Sequence, residues 1–281
     1  MFIFYGTGSN NLFISSTDKF IHNLYAYNSI SAIAVFDINS DGFVDIVTSH
    51  QHDQNYQYQF TIHLKKDDRY LYKEPLLSPN VYAGKVISLV VADLDNDARL
   101  NDMAWITIDG FVITRSVYVT VGSFTNKFST EDQMYENPSA VVTGRFNDDE
   151  IVDLALISSQ SDTLQVLLRY EDKSLSKWKS IKMIYLTDHH PTSIARINFN
   201  NDTIDDLAIL HCNGTVIIFI GSTDGLFERK DLSIGTHTGC IDKCCQSLHV
   251  IDLNRDGRDD LVFTDTGMNS IQVVLGLPCN E

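Results

Sequence analysis

Five acidic loops, evenly spaced and each enclosed by two short apolar strands, predict an all-β fold, namely a β-propeller of about five four-stranded blades. The loops open at residues 37, 93, 145, 198 and 252, so the period is 52 to 56 residues. One small sheet of this length cannot bury both of its faces, so consecutive sheets must stack around an axis. A β-solenoid would show a shorter period, and a β-sandwich would show no long-period repeat.

Each unit repeats the same order of strands. A short apolar strand enters the acidic loop and a second leaves it, and an alternating third strand is predicted at 58–64, 117–121, 163–168, 215–220 and 270–275. A turn then leads to a weaker fourth strand, and the segments that open at Gly6, Gly122 and Gly221 look like the same turn. No long stretch repeats apolar residues at helical spacing, so almost no helix is expected.

The period makes the whole chain, 1–281, one propeller domain with blades at about 31–83, 84–136, 137–190, 191–244 and 245–281. The last unit stops after its third strand, whereas residues 1–30 begin with a piece like a third strand and continue with a fourth. The N-terminal residues are therefore predicted to complete the last blade and lock a five-bladed ring. The alternative is that the chain is part of a larger propeller with six or seven blades.

The charge balance excludes several classes of partner. The formal net charge is −16, from 37 acidic and 21 basic residues, which argues against nucleic acid and against an anionic membrane surface. No stretch approaches the roughly eighteen apolar residues of a membrane span, so none is expected. The apolar start at residues 1–5 is too short for a secretory signal. Either the protein is not secreted by the usual route, or this chain is a fragment of a longer one.

The loop pattern Asp-x-Asp/Asn-x-Asp-Gly-x-x-Asp indicates a site for Ca²⁺. Calcium takes about six to eight oxygen ligands, and alternate residues of a tight loop turn their side chains to one centre. Positions one, three, five and nine supply carboxylates or amides, and position seven offers its carbonyl. Glycine at position six permits a left-handed turn. An EF-hand would also need a helix pair and a Glu at position twelve, and neither is present.

Four loops are predicted to hold Ca²⁺. Loops one and five match the pattern fully, whereas loop two has Ala98 at position six and its closing acid one residue late. Loop four is less charged and has Thr203 at position six, so weaker binding is expected there. The predicted ligands are Asp37, Asn39, Asp41 and Asp45 in loop one, Asp93, Asp95, Asp97 and Asp102 in loop two, Asn198, Asn200, Asp202 and Asp206 in loop four, and Asp252, Asn254, Asp256 and Asp260 in loop five.

Loop three is predicted to be metal-free. Arg145 stands at position one and Glu150 at position six, although Asp149 and Asp153 are kept. A guanidinium at position one can take the place of the ion and neutralise the remaining carboxylates.

Because of these acidic loops, the repeat units resemble FG-GAP/VCBS repeats, which form the propeller of integrin α-chains and of many extracellular proteins. The resemblance covers nearly the whole chain, and the stretch 199–208 is especially typical of it. It implies that calcium binds between the first and second strands of each blade, on one rim of the ring.

The five cysteines favour disulfides, with free thiols and a zinc site as alternatives. They are Cys212, Cys240, Cys244, Cys245 and Cys279. Adjacent cysteines do not easily pair with each other, so Cys244 and Cys245 need different partners, with Cys240 and Cys279 as candidates, and one thiol should be left over. Asn201 and Asn213 head N-glycosylation sequons; the first lies inside a metal loop and is expected to be unused.

Other polar and aromatic residues give weaker signals. The pair His189–His190 and the group His50, His52 and Asp53 are expected to lie in solvated loops. Exposed aromatic residues on a rim could grip a partner, and the candidates are Tyr56, Tyr58, Tyr70, Tyr72, Trp178 and Trp105, the last of which is expected in the core. No nucleophile elbow and no glycine-rich phosphate loop occurs.

The sequence therefore predicts a non-catalytic, calcium-binding adhesion module for a protein or glycan ligand. It is expected outside the cell or in the secretory pathway, because only there is calcium free at about 10⁻⁴–10⁻³ M. One alternative is a carbohydrate-active propeller enzyme with acids converging in an axial pocket. Another is a structural spacer within a larger receptor.

Overall fold

The computed structural model describes residues 30–51, 57–65, 76–77, 82–83, 85–94, 96, 102–107, 111–120, 123–127, 133–134, 138–172, 177–187, 190–232, 247–265 and 270–276. These residues form five antiparallel sheets and contain no α-helix, as the sequence predicts. No helix among them could therefore cross a membrane.

Two of the sheets have the predicted four strands, paired in chain order. Sheet 3 consists of β11 (Ala140–Gly144), β12 (Asp153–Ser158), β13 (Thr163–Asp172) and β14 (Lys177–Leu186). Sheet 4 consists of β15 (Pro191–Ile197), β16 (Asp206–His211), β17 (Val216–Gly221) and β18 (Phe227–Leu232). In both sheets the acidic loop joins the first strand to the second.

The first two sheets split the fourth strand into two short pieces, which both pair with the third strand. Sheet 1 consists of β1 (Ile30–Phe36), β2 (Asp45–Gln51), β3 (Gln57–His63), β4 (Leu76–Leu77) and β5 (Tyr82–Ala83). Sheet 2 consists of β6 (Val86–Ala92), β7 (Asp102–Thr107), β8 (Phe111–Thr120), β9 (Ser123–Lys127) and β10 (Gln133–Met134).

The fifth sheet has three described strands, β19 (Leu248–Ile251), β20 (Asp260–Asp265) and β21 (Ser270–Val274). The completion of this sheet by residues 1–30 concerns positions that, apart from Ile30 in β1, lie outside the described residues. The turn predicted at Gly221 does join β17 to β18. The equivalent turn predicted after Gly122 is wrong, because β9 pairs with β8 from Ser123 onwards.

Four apolar layers lie between consecutive sheets, which is the stacking that the repeat predicts. The first strands of neighbouring sheets contact one another in the order β1, β6, β11, β15 and β19. Between sheets 1 and 2, Trp105 is fully buried and meets Phe60 edge-on, with 4.9 Å between the ring centroids. The prediction that Trp105 belongs to the core is confirmed. Strands β7, β12 and β16 are buried at every position, because a sheet packs on each face.

The two ends of the stack carry exposed apolar side chains. Ile271 of β21 is 70% exposed and Val273 is 47% exposed, on the face of sheet 5 that points away from sheet 4. On the outer face of sheet 1, Ile33 and Val35 are 48% and 61% exposed. Closure of the five sheets into a ring remains a prediction.

Matched isoleucine truncations test this stacking. Ile209 is fully buried between sheets 3 and 4, so Ile209→Ala should lower the free energy of unfolding by about 2–5 kcal/mol. Ile271→Ala should cost less than about 0.5 kcal/mol, because this side chain is largely solvated. Urea denaturation of both variants provides the measurement. Equal losses would mean that the outer face of sheet 5 is covered in solution.

Candidate functional site

Each acidic loop ends in a buried aspartate that holds the loop to its own sheet. Four of these residues stand at position nine, Asp45, Asp153, Asp206 and Asp260, and Asp102 of loop two stands one residue later; all five are fully buried. In every loop, one carboxylate oxygen accepts the backbone amide of position two, at 2.7 to 3.2 Å. In loops one, three, four and five, the other oxygen accepts an amide near the end of the third strand, at 2.6 to 2.8 Å. We call this arrangement the aspartate staple.

In loops one, three, four and five, the staple holds both ends of the loop in the same way. Burial of a carboxylate is costly unless it is hydrogen-bonded, and two or three amide donors meet that need. The bond from position two fixes the entry to the loop, and the bond from the third strand fixes its exit. The sequence pattern predicts an acid at position nine as a metal ligand but does not reveal this backbone contact.

Positions three, five and seven have a second constant geometry in loops one, three, four and five. The asparagine Nδ2 at position three donates to the aspartate Oδ2 at position five, at 2.6 to 3.0 Å. The amide of position five returns to the asparagine Oδ1, at 3.0 to 3.2 Å. The amide of position seven donates to the aspartate Oδ1, at 2.7 to 3.0 Å. These bonds hold several side-chain oxygens in a small volume.

Position one differs between the loops. In loop one, Asp37 Oδ1 and Asn39 Oδ1 converge on the amide of Asp41, at 3.0 and 3.2 Å, and Asp37 Oδ2 accepts the amide of Gly42 at 2.7 Å. Loop five repeats these contacts with Asp252. Two side-chain oxygens that accept the same amide hydrogen lie close together. Each oxygen has a second lone pair, which can coordinate a cation.

In loop four, Asn198 occupies position one. Its Nδ2 donates to the carbonyl of Asp202 at 2.8 Å. Its Oδ1 is buried, and no donor among the described residues reaches it. A buried acceptor without a donor is unfavourable unless water or an ion meets it.

The backbone is left-handed at position six, as predicted from the glycine there, and also at position four, which the sequence does not predict. Gly42 and Gly257 at position six have φ of 87° and 84°, which confirms the role given to glycine there. Position four is also left-handed in loops one, two, four and five, with φ between 57° and 62° at Ser40, Asn96, Asn201 and Arg255. Such a conformation costs a non-glycine residue about 1–2 kcal/mol, so the loop bonds must offset it.

Loop three keeps the staple but departs elsewhere. Glu150 at position six is left-handed, with φ of 61°. The Arg145 side chain is exposed, and among the described residues no ion pair joins it to Asp149. The backbone of Arg145 instead binds Asp205 of loop four, whose Oδ2 accepts its amide at 2.8 Å. The metal-free state of this loop remains a prediction.

Two of the sixteen predicted ligands lie outside the described part of the chain. Asp95 and Asp97 of loop two lie outside the described residues, whereas Asp93 and Asp102 lie inside them. Within the described part of the chain, no three His, Cys, Asp or Glu side chains group as a metal site. Two of the four ligand positions in loop four are asparagines, and the position-nine oxygens face backbone amides. A cation in these loops would therefore depend on amide and carboxylate oxygens together.

The staple carboxyls have unusual acidities. Burial raises the pKa of Asp153 to about 7 and that of Asp45 to about 6, against the opposing effect of their amide donors. Burial also raises the pKa of Asp206. In Asp260 the hydrogen bond from Gly276 has the larger effect and lowers the pKa.

The histidine predictions are partly wrong. His50 is fully buried in β2, with Nδ1 at 3.1 Å from Thr61 Oγ1, because β2 extends through Gln51. His190 is exposed as predicted, but it is held in place by its amide, which donates to Asp162 Oδ1 at 2.8 Å. His52, Asp53 and His189 lie outside the described residues, as do the side chains of Tyr56, Tyr58, Tyr70, Tyr72 and Trp178.

Cys212 is disulfide-bonded. The other four cysteines lie outside the described residues. Among the sequon residues, Asn201 is exposed, and the Asn213 side chain accepts the amide of Thr215 at 3.0 Å.

Comparison with known proteins supports the repeat and the fold. Residues 198–263, which contain loops four and five, match the FG-GAP-like repeat family, so the resemblance is confirmed over that stretch. No curated protein matches the chain.

Among solved structures, the chain is similar to Chaetomium thermophilum Sqt1 bound to the N-terminus of the ribosomal protein L10. The TM-score is 0.56 at 15% identity, over 90% of this chain and 62% of the Sqt1 chain. It also matches BBS1N in complex with ARL6DN, with a TM-score of 0.49 at 10% identity, over 90% of this chain and 81% of that chain. Sqt1 is propeller-like, and at such low identity its likeness to this chain shows the fold alone. The chain spans less than two thirds of the Sqt1 chain.

Removal of one staple should destabilise the protein without any metal present. Asp206 accepts the amides of Phe199, Asn200 and Gly221, so Asp206→Ala leaves three donors without their acceptor. We expect a loss of roughly 3 kcal/mol or more in the free energy of unfolding, measured by urea denaturation in EDTA. Asp202→Ala, at an exposed position of the same loop, should cost about 1 kcal/mol or less. Equal losses would contradict the staple.

Stability of the metal-free protein should fall as the pH rises from 4 to 7. The folded state keeps a proton on Asp153 up to a pKa of about 7, whereas the unfolded state releases it near 3.8, so deprotonation in this window favours unfolding. Asp153→Asn cannot titrate and should flatten the slope of unfolding free energy between pH 5 and 7.5. Asp149→Asn, an exposed change in the same loop, should keep the wild-type slope. An unchanged slope in Asp153→Asn would refute the assignment.

Proposed function

We propose that this chain is a non-catalytic β-propeller module that holds Ca²⁺ in its acidic loops and binds a protein partner outside the cell. The observation that carries the proposal is the convergence of position-one and position-three oxygens in loops one and five. Both loops combine it with a left-handed glycine at position six. Bound Ca²⁺ would offset the repulsion between carboxylates held so close together.

The residues fit a calcium ion in three loops for which the side chains are described. In loop one they are Asp37, Asn39 and Asp41, with Asp45 behind them. Loop five offers the same set, and loop four offers the unmet Oδ1 of Asn198. Oxygen atoms of carboxylates and amides are the ligands that hard cations prefer. Asp93, Asp95, Asp97 and Asp102 are proposed for loop two by analogy of sequence.

An extracellular location follows from the proposed calcium sites and is supported separately by the disulfide. Extracellular calcium-binding modules typically need free calcium at about 10⁻⁴–10⁻³ M, which the cytosol lacks. The disulfide at Cys212 would be reduced in the cytosol of most organisms and is stable in an oxidising compartment.

A protein ligand is favoured over a glycan. The similar fold in Sqt1 is bound to the N-terminus of a ribosomal protein, which supports the idea that a stack of this kind can present a face to another chain. Oxygen-rich loops that stiffen one rim would suit such a role, because a preorganised surface loses less entropy on binding.

Calcium removal is the test of the proposal. A ligand at free concentration L that binds only the folded state stabilises it by RT ln(1 + L/Kd), which for a Kd of about 10⁻⁴–10⁻³ M is about 0.4–1.4 kcal/mol per site in 1 mM CaCl₂. The Tm should therefore rise with millimolar CaCl₂ and fall after EDTA. Asp41→Ala and Asp256→Ala should each lose part of the calcium-dependent shift. Asp149→Ala, in loop three, should lose none of it.

Magnesium at equal ionic strength is the control for screening, because Mg²⁺ demands a smaller and more regular site. A Tm that does not respond to calcium in the wild-type protein would rule the proposal out. An Asp149→Ala effect as large as that of Asp41→Ala would refute the metal-free assignment of loop three.

A further inference from the structure

Asp205 and Asp259 stand at position eight of loops four and five, and each links its own loop to the preceding loop in the stack. Asp205 of loop four accepts the amide of Arg145 at 2.8 Å and donates its own amide to the Arg145 carbonyl at 2.9 Å. Asp259 of loop five accepts the amide of Asn198 through Oδ2 at 2.9 Å. In both cases the bound residue occupies position one of the neighbouring loop. We call these contacts the inter-loop latches.

Glycines make room for the latches. A Cβ on Gly221 would lie 2.7 Å from the carbonyl oxygen of Asp205, and one on Gly276 would lie 2.8 Å from that of Asp259. The same two glycines donate their amides to the staples of Asp206 and Asp260. The close approach that only glycine permits therefore joins the staple and the latch in one structural unit.

The latch of loop five holds Asn198, whose side-chain oxygen has no hydrogen-bond donor among the described residues. Asp259 fixes the backbone of Asn198, while the Nδ2 of Asn198 is used by the carbonyl of Asp202. What remains is the buried Oδ1 of Asn198, without a donor among the described residues. Fixing the backbone on one side and the amide nitrogen on the other limits where this oxygen can lie.

We propose that Asp259 is a positioning residue that couples cation binding in loop five to cation binding in loop four. The inference rests on the proposed function of the loops. An ion on Asp252, Asn254 and Asp256 would order loop five and with it the adjacent latch, which holds Asn198 ready for a second ion. By linkage, an ion in loop four favours loop five by the same factor.

The coupling ends at loop three. Asp205 makes the same contact as Asp259, but its target is Arg145, which offers no ligand oxygen at position one. The two latches therefore provide a matched pair, since each joins adjacent loops and only one reaches a predicted cation ligand.

Amide exchange in the metal-free protein tests the latch itself. Hydrogen exchange at the Asn198 amide, followed by NMR in EDTA, should be at least about tenfold faster in Asp259→Ala than in the wild type. Asp259→Asn keeps an acceptor oxygen and should restore most of the protection. Unchanged exchange in Asp259→Ala would overturn the latch, whatever the loops bind.

Calcium titration then tests the coupling, in a background in which Asp41→Ala and Asp97→Ala silence loops one and two. Calorimetry should show two sites, and Asp256→Ala in loop five should weaken loop four by about 5–150-fold, the usual range of allosteric coupling. The effect of Asp256→Ala on loop four should vanish when Asp259→Ala is also present. Asp205→Ala should leave the affinity of loop five unchanged.

Three results would contradict the coupling, and each has a different meaning. If Asp256→Ala weakens loop four equally with and without Asp259, the coupling does not pass through the latch and the proposal is wrong. If loops four and five bind independently, no coupling exists. If no heat of calcium binding is seen in the background protein or in the wild type, the proposed function fails together with the coupling.

Discussion

A buried carboxylate that accepts backbone amides from both ends of an acidic loop is the interaction on which this structure depends. Such a group is stable inside a protein only when donors surround it. The staple therefore forces the second residue of the loop and the end of the third strand to come together. Four of the five loops repeat both bonds, so they join their sheets in the same way, and the sheets stack through four apolar layers.

The repeated loop contains two kinds of acid with different roles. Loop three separates them, because it has lost the aspartate at position one and the glycine at position six but keeps its staple and the asparagine–aspartate contact. Position nine thus belongs to the fold. Positions one, three and five supply the oxygen atoms that we assign to calcium, and of these only position one differs in charge among loops one, three, four and five. A sequence motif that resembles one metal site therefore contains a structural aspartate beside the residues that we propose as ligands.

The sequence predicts the features that repeat along the chain. It does not predict contacts between residues that are distant from each other in the sequence. The period, the third strands and the left-handed glycines at 42 and 257 follow from spacing and residue type. Arg145, which donates its amide to Asp205, lies sixty residues away in the chain, so no local sequence pattern predicts this contact. His50 was misplaced because the end of β2 is polar and resembles a loop. The bond at Cys212 could not be predicted because five cysteines permit many pairings.

A crystal structure of the protein grown in millimolar calcium, with anomalous scattering recorded at long wavelength, tests the account most directly. We expect anomalous peaks within loops one and five, about 2.3–2.6 Å from the oxygens of positions one, three and five, and none within loop three. The staples should remain, with their amide bonds intact. Loops that are fully ordered and hold no ion would show that the acidic pattern serves the fold alone.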